Sequence, residues 1–420
     1  MKITLTQFRP NTAEAVWTDC FAQAIAELHK AGGGVLTVPT GEYSTGPIEL
    51  CSNMELHLEP GAVIRFLNDP AAFPLQECQY EGRISHRPKP CLSAFNAENV
   101  ALTGSGVLDG CGAPWWAAQR ARTLANGRPY LLHFENVTHL RVCGVQLRNS
   151  PAWTVHPLNC VDVLIEDVSI CNPYNSPNTD GINPESCRDV RILNCRVDVG
   201  DDCITLKSGT EETPSPVPCE NIVIANCLLV HGHGGIVIGS EMSGGVRNVT
   251  VTNCVFTGTD HGLRVKTRRR RGGCVENLRL SNLVMERVFC PFVFNMYYSC
   301  GTAEKDRWVW EKTPYPVDGG TPAFRNIRIN GVTVVGATAS AGFFYGLAES
   351  PIDGLSRTAC HIEMARGAAP EKPAMMGNLE PMSARGFFLR NAKNVEFHNV
   401  TLKNADGEAY DTDESVDGEF

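Results

Sequence analysis

Four short polar clusters follow one another between residues 178 and 266 of this 420-residue chain: Asn178-Thr179-Asp180, Gly200-Asp201-Asp202, Gly232-His233-Gly234 and Arg264-Val265-Lys266. They supply three carboxylates, one imidazole and two cations. Cleavage of a glycosidic bond needs one carboxyl group to protonate the leaving oxygen and a second carboxylate to activate water or attack the sugar. The clusters are therefore suited to glycoside chemistry beside a sugar that itself carries a carboxylate.

The basic residues indicate how an anionic sugar would be held. Arg264 and Lys266 alternate along a strand-like run, so their side chains point to the same face and both could bind a carboxylate. The run Arg268-Arg269-Arg270-Arg271 is either a further subsite for a polyanion or a solvated loop. Taken alone, Asp201-Asp202 would suit a calcium site or a polar turn, but the accompanying residues favour catalysis.

A repeat surrounds these clusters. Asn or Asp is followed by an aliphatic residue, and a second polar residue comes five positions after the first; copies begin at Asp162, Asp189, Asn221, Asn248, Asn277 and Asn394. From Asp162 to Asn277 the copies lie 27, 32, 27 and 29 residues apart. This period, with β-branched alternation, predicts a β-solenoid in which each repeat forms one coil. In register, the Asn side chains would stack in hydrogen-bonded ladders.

The ends of the chain differ from the repeats. Residues 18 to 30 form a convincing amphipathic helix, within a segment of about residues 15–32 that we expect to cap the open end of the solenoid. The acidic residues 406–420 are expected to form a solvated tail. Because no linker or change of composition divides the chain, we predict a single domain, 1–420.

Composition narrows the partners. A net charge of −9 argues against a general nucleic-acid binder, and no apolar run is long enough to span a membrane. The N-terminal residues lack the apolar core of a secretory signal, so a cytoplasmic location is expected unless the sequence has been trimmed. Eighteen cysteines without a C-x-x-C pair favour buried reduced thiols. The sequence offers no prediction of oligomeric state.

The four clusters, in this order, resemble the motifs of polygalacturonases of glycoside hydrolase family 28, with Val265 in place of the usual Ile. The resemblance runs from about Gly33 through the final repeats. It implies an all-β, right-handed parallel β-helix of roughly 10 coils. It also implies inverting hydrolysis of α-1,4-galacturonosidic bonds in polygalacturonate or oligogalacturonides, without a cofactor or a metal.

The same resemblance implies roles for individual residues. Asp201 would be the general acid, Asp180 and Asp202 would position and deprotonate water, and His233 would support protonation of the acid. Arg264 and Lys266 would bind the galacturonate carboxylate on the leaving-group side. The expected substrate-binding residues are Asn178, Arg264, Lys266 and Tyr298. His231 competes with His233 for the histidine role, and Tyr297 competes with Tyr298 for the tyrosine role.

Other functions remain open from the sequence. The Arg-x-Lys pair favours galacturonate over rhamnose on the leaving-group side, but a rhamnogalacturonan or other pectic-backbone hydrolase stays an alternative. A pectate-lyase-like β-helix would rely on calcium, and a non-catalytic β-helix would bind oligogalacturonides without turnover. Two long segments, residues 69–90 and 301–322, could close one end of a cleft. We therefore hypothesise exo action.

Overall fold

The computed structural model describes residues 1–9, 16–299 and 305–420. It is mostly β, with 50% strand and 8% helix, and the prediction of a right-handed parallel β-helix is confirmed. The chain divides into two compact units, Met1–Asp201 and Asp202–Phe420, and each is described by itself. No helix in the described ranges is long and apolar enough to cross a bilayer.

The first unit is built from short strands that pair in parallel with their equivalents one coil away. Its strands are β1 (Lys2–Thr4), β2 (Gly34–Val38), β3 (Gly41–Thr45), β4 (Ile48–Glu49), β5 (Met54–Leu58), β6 (Ala62–Phe66), β7 (Leu75–Tyr80), β8 (Arg83–Pro88), β9 (Leu92–Phe95), β10 (Glu98–Gly104), β11 (Val107–Asp109), β12 (Leu132–Glu135), β13 (Thr138–Cys143), β14 (Gln146–Arg148), β15 (Val155–Leu158), β16 (Val161–Glu166), β17 (Ser169–Cys171), β18 (Arg188–Leu193) and β19 (Arg196–Val199). Three stacks result: β1-β2-β5-β10-β13-β16-β18, β3-β6-β11-β14-β17-β19 and β4-β9-β12-β15. Strands β7 and β8 instead form an antiparallel hairpin.

The second unit repeats this arrangement. Its strands are β20 (Ile204–Leu206), β21 (Cys219–Ala225), β22 (Leu228–His231), β23 (Ile236–Ile238), β24 (Val246–Thr252), β25 (Val255–Thr257), β26 (His261–Lys266), β27 (Cys274–Glu286), β28 (Cys290–Asn295), β29 (Ala323–Ala337), β30 (Ser340–Tyr345), β31 (Ile352–Met364), β32 (Arg385–Arg390), β33 (Ala392–Lys403), β34 (Tyr410–Asp411) and β35 (Val416–Glu419). One stack runs β21-β24-β27-β29-β31-β33-β35, and another runs β20-β23-β26-β28-β30-β32-β34.

Ladders of asparagine hold the corners of the coils, as the repeat predicts. In the second unit, Asn253 donates to Asn226 at 3.3 Å and Asn282 donates to Asn253 at 2.8 Å. A parallel ladder joins Asn221, Asn248, Asn277 and Asn326. All of these residues have φ between 53° and 58°, in the left-handed region that Asn tolerates better than most residues. The repeat therefore marks the points where the chain turns.

The interior of each coil is aliphatic. Val163 pairs with Leu140 on one side and Val190 on the other, and all three are at most 1% exposed. Cysteines such as Cys227 and Cys254 fill the same interior at 2% and 1% exposure. Every cysteine in the described part of the chain is free, in keeping with the thiols expected from the sequence.

The N-terminal helix is confirmed as α1 (Thr18–Lys30), and it buries Phe21, Ile25 and Leu28. It ends where the Gly33 N–H donates to the Leu28 carbonyl at 2.8 Å. The outermost rung of the first unit, however, is β1, which pairs with β2 and which the repeat pattern does not reveal. Two further helices, α2 (Ala113–Ala121) and α3 (Arg307–Trp310), also escape the sequence pattern.

The acidic C-terminal segment is mostly exposed but is not a simple solvated tail. Strands β34 and β35 pair with β32 and β33. The Phe420 ring packs edge-on against Phe397, with the two centroids 5.6 Å apart. The segment thus continues the sheets of the second unit, because its few apolar residues find partners on the last rungs.

Two substitutions of Asn253 will separate the contribution of the ladder hydrogen bonds to stability from that of the left-handed backbone conformation. Asn253→Ala removes both ladder hydrogen bonds and places an alanine at φ 56°, so we expect a loss of about 2–3 kcal/mol in the free energy of unfolding. Asn253→Gly removes only the hydrogen bonds and should cost about 1 kcal/mol less. Urea unfolding measures both. An equal loss of unfolding free energy in the two variants would show that the left-handed conformation at residue 253 does not contribute to stability.

Candidate active site

Within the first unit, two of the expected catalytic carboxyl groups lie together. Asp180 belongs to the segment between β17 and β18; its carbonyl accepts from the Thr154 N–H at 2.8 Å, and the residue is 4% exposed. The Thr179 hydroxyl accepts from the Gly200 N–H at 3.3 Å, which ties this segment to the turn after β19. A carboxylate oxygen of Asp180 lies within 4.8 Å of one of Asp201. The first two motifs are thereby joined.

Asn178 is held by Arg128, an arginine that no sequence motif indicates. Arg128, 2% exposed, donates to the Asn178 side-chain oxygen at 2.7 Å and to the carbonyls of Pro151 and Pro177 at 2.9 and 2.5 Å. Burial lowers the pKa of Arg128. It lies outside the repeat and outside any motif, so no local signal marks it. Its effect is to fix the loop that carries Asn178 and Asp180.

Within the second unit, Asp202 gathers the two cations of the last motif. Lys266 Nζ lies 2.8 Å from one carboxylate oxygen, and Arg264 Nη1 lies 3.5 Å from the other. Burial acts to raise the pKa of Asp202, but the charges of Lys266 and Arg264 outweigh it and hold the pKa well below its usual range. The alternation predicted for β26 is therefore observed, since both cations reach one carboxylate. Asp202 is ionised at neutral pH.

The two tyrosines after β28 have different surroundings. Tyr298 lies beside the cations, with its ring centroid 5.4 Å from Lys266 Nζ and 5.9 Å from Arg264 Cζ, and it is 8% exposed. Tyr297 is fully buried beneath Lys312, whose Nζ lies 3.3 Å from the ring centroid. The geometry therefore favours Tyr298 over Tyr297 as the residue next to a ligand.

His233 is oriented by an aspartate that no motif indicates. Its Nδ1 lies 2.7 Å from the Asp260 carboxylate, and its side chain is 52% exposed. Asp260 directly precedes β26. The next residue, His261, is buried, and its ring approaches the Cys290 carbonyl at 3.3 Å. Burial, followed by the charge of Arg264, lowers the pKa of His261 well below its usual value, so His261 is neutral.

A second buried ion pair supports the charges of this region. Lys207 Nζ lies 2.8 Å from a Glu241 carboxylate oxygen, with side chains only 6% and 11% exposed. Burial opposes ionisation of Glu241, but the charges of Lys207 and Arg271 prevail and lower its pKa to about 2. Lys207 also helps to hold down the pKa of Asp202.

The run of four arginines is mostly internal. Arg269, 5% exposed, contacts both carboxylate oxygens of Glu349 at 2.5 and 2.9 Å. Arg268 and Arg271 both pair with Glu211, at 2.7 and 2.5 Å. The run is therefore not a solvated loop. It is not a fully available polyanion subsite either, because three of its four arginines already pair with carboxylates.

Comparison with known proteins agrees with the motifs. Residues 36–307 match the family model of glycosyl hydrolases family 28. A "Probable polygalacturonase" of Vitis vinifera is 34% identical over 66% of this chain and 58% of its own length. An "Endo-polygalacturonase" of Pectobacterium carotovorum subsp. carotovorum is 30% identical over 61% of this chain and 65% of its own length. The chain thus spans less than two thirds of these two relatives.

A solved structure gives the fuller match. The crystal structure of a hyperthermoactive exopolygalacturonase from Thermotoga maritima aligns with a TM-score of 0.76 and 29% identity. The alignment covers 96% of this chain and 92% of the Thermotoga chain. The similarity therefore reaches beyond the range of the family model to nearly the whole chain.

The buried Lys207–Glu241 pair makes stability depend on pH. The pKa of Glu241 falls from 4.5 to about 2 on folding, so its ionisation contributes about 3 kcal/mol. This contribution is present above the unfolded pKa and is lost as the pH falls through the folded pKa. We expect Glu241→Gln to cost about 3 kcal/mol at pH 7 and progressively less between about pH 5 and pH 2.

Chemical denaturation across this pH range measures the effect. Glu220→Gln is the matched control, because Glu220 pairs with Arg247 at 2.6 Å where the arginine and glutamate side chains are 46% and 18% exposed, and pairs open to solvent contribute about 1 kcal/mol or less. A Glu241→Gln penalty that stays constant with pH would contradict the assignment.

Proposed function

The chain belongs to glycosyl hydrolases family 28, and from this membership we propose that it hydrolyses α-1,4-galacturonosidic bonds in oligogalacturonides or polygalacturonate from a chain end. The observation that carries the substrate assignment is the pair Arg264 and Lys266. Both are largely buried and directed to one place, the carboxylate of Asp202. Two cations that converge in this way suit the carboxylate of a uronic acid.

We assign the proton donor to Asp201. Asp202 is ionised because of its two cationic neighbours, so it cannot supply a proton at neutral pH. Asp180 and Asp201 lie within 4.8 Å, and carboxyl groups this close disfavour simultaneous ionisation. One of them can therefore retain a proton, and the motif match assigns this role to Asp201. Its protonation of the leaving oxygen begins cleavage.

Water activation falls to Asp180 and Asp202 in this proposal. A carboxylate that stays ionised can orient water and accept its proton as the new bond to the anomeric carbon forms. Asp260 contacts Nδ1 of His233, so the second ring nitrogen, Nε2, is the one left for proton transfer in this proposal. We propose that it supports reprotonation of Asp201 after each turnover, while Asn178 and Tyr298 contact the sugar.

The stereochemical course needs its own test. Inverting glycosidases usually separate their carboxyl groups by about 6.5–9.5 Å, and retaining ones by about 5–5.5 Å. The Asp180–Asp201 approach of 4.8 Å or less is nearer the second range. Inversion is therefore supported by family membership and not by this spacing. Proton NMR of the first product formed distinguishes the two, because inversion of an α-linkage yields the β-anomer.

Exo action is supported by the hairpin β7–β8. Tyr80 stacks on Trp153 with ring centroids 4.8 Å apart, and the Gln79 side chain donates to Glu185 at 2.6 Å. Beneath the hairpin, His133 and His156 are adjacent on β12 and β15 and wholly buried. The hairpin thus covers a sheet face on which a polysaccharide could otherwise lie. The Thermotoga relative is an exopolygalacturonase, whereas the Pectobacterium relative is an endo-polygalacturonase.

The first test is a time course on defined oligogalacturonides and polygalacturonate, run with and without a chelator. We expect monogalacturonate from the start, no unsaturated product, and a loss of activity of about a thousandfold in Asp201→Asn, within the range for removal of a general acid. Asp162→Asn is the control, since Asp162 forms an exposed surface pair with Arg191. An unsaturated product that disappears with chelator would establish a lyase instead. Absence of cleavage would favour a rhamnogalacturonan-type substrate or a binding role.

The hairpin provides the second test. Replacing residues 76–87 by a short Gly-Ser turn should uncover the face that bears His133 and His156, so products from polygalacturonate should change from monomer to mixed oligomers. Tyr80→Ala, which removes the stack on Trp153 but keeps the hairpin, should change product size less. Thermal unfolding checks that both variants fold. Monomer release unchanged in a folded hairpin variant would remove the hairpin as the cause of exo action.

A further inference from the structure

Arg270 differs from the other arginines of its run. It is exposed, and within the described residues no carboxylate forms an ion pair with it. Its guanidinium carbon lies 4.3 Å from the centroid of the Trp308 ring. A guanidinium stacked on an aromatic ring uses its flat face for that contact and keeps its N–H edge for bidentate hydrogen bonds. Arg270 is thus arranged to bind a planar anion.

The platform under Arg270 is held firmly by Arg269. The Arg269 guanidinium donates to the carbonyls of Trp308, Glu311 and Thr313 at 2.9, 2.7 and 3.1 Å, and its pairing with Glu349 neutralises it. These contacts fix α3 and the residues after it against the end of β26. The backbone at Trp308 is therefore anchored by a buried arginine.

The local charge favours an anionic ligand. Arg268 also stands over Trp308, at 5.1 Å, and it shares the single carboxylate of Glu211 with Arg271. Arg271 also faces Glu241 and Glu212, and Arg268 has Glu211 as its partner. The positive charge of Arg270, in contrast, meets solvent and is available to an anionic ligand.

We propose that Arg270, stacked on Trp308, binds the carboxylate of an additional galacturonate unit, beyond the unit held by Arg264 and Lys266. This inference rests on the proposed function. Arg270 follows Lys266 by four residues in the same chain segment, and an extended segment of that length spans at most about 14 Å. A chain held at Lys266 by its leaving-group side can therefore extend to Arg270. The subsite would favour longer acidic oligosaccharides over short ones.

The test compares kcat/KM on oligogalacturonides of increasing length. Arg270→Gln should leave the shortest cleaved substrate unaffected and lower kcat/KM on the longer ones by about tenfold, the lower end for a charged hydrogen bond. The loss should lie mainly in KM and should diminish in high salt. Trp308→Leu, which removes the stacking platform, should show the same length dependence. Arg270→Lys, which keeps the charge but not the planar fork, should recover part of the loss.

Arg287→Gln is the matched control, because Arg287 is an arginine 67% exposed on its side chain and paired with the neighbouring Glu286. It should change none of these values. An equal loss on every substrate length, or no loss on any, would overturn the subsite while leaving the hydrolase intact. If the wild-type protein cleaves no galacturonide at all, both the proposed function and the subsite fall.

Discussion

The structure depends on the left-handed backbone conformation of the Asn and Asp residues at which each coil turns. Every coil must turn at the same place as the coil beside it. Asparagine has two properties that favour this. Its backbone tolerates the positive φ, and its side-chain amide both donates and accepts along the stack, as Asn253 does between Asn226 and Asn282. A corner that slipped by one residue would turn aliphatic residues such as Val163 outward. The polar ladder thereby fixes the apolar core.

The same register places the charges. Arg264 and Lys266 face one way because they alternate on β26. The parallel pairing of β26 with β28 fixes their position along the stack of coils. Burying two cations costs free energy unless an anion compensates, and Asp202 provides it. The functional consequence is that the site is charged and ordered before a ligand arrives. Under the proposed function, less reorganisation would then be needed for a sugar carboxylate to bind.

The sequence predicts those features whose signal is periodic or local. The corners follow from the spacing of Asn and Asp, the helix α1 from its apolar face, and the catalytic candidates from four compact motifs. Arg128 and Asp260 carry no such signal, because their roles depend on partners such as Asn178 and His233, which lie 50 and 27 residues away in the chain. The arginine run could not be resolved either, since Glu211 and Glu349, which pair with it, are 57 and 80 residues distant. Strand β1 carries no sequence signal, because one short strand before the helix shows no period.

The hairpin β7–β8 has a different relation to the fold from the rungs. Its strands pair with each other and touch the sheet beneath through side chains such as Tyr80 and Gln79, so no ladder hydrogen bond of the solenoid passes through it. Insertions or deletions at the hairpin turn therefore interrupt no strand pairing between coils. Under the proposed function, end-wise and internal cleavage would then differ by one loop, while the coil pairing that carries the catalytic candidates stays the same.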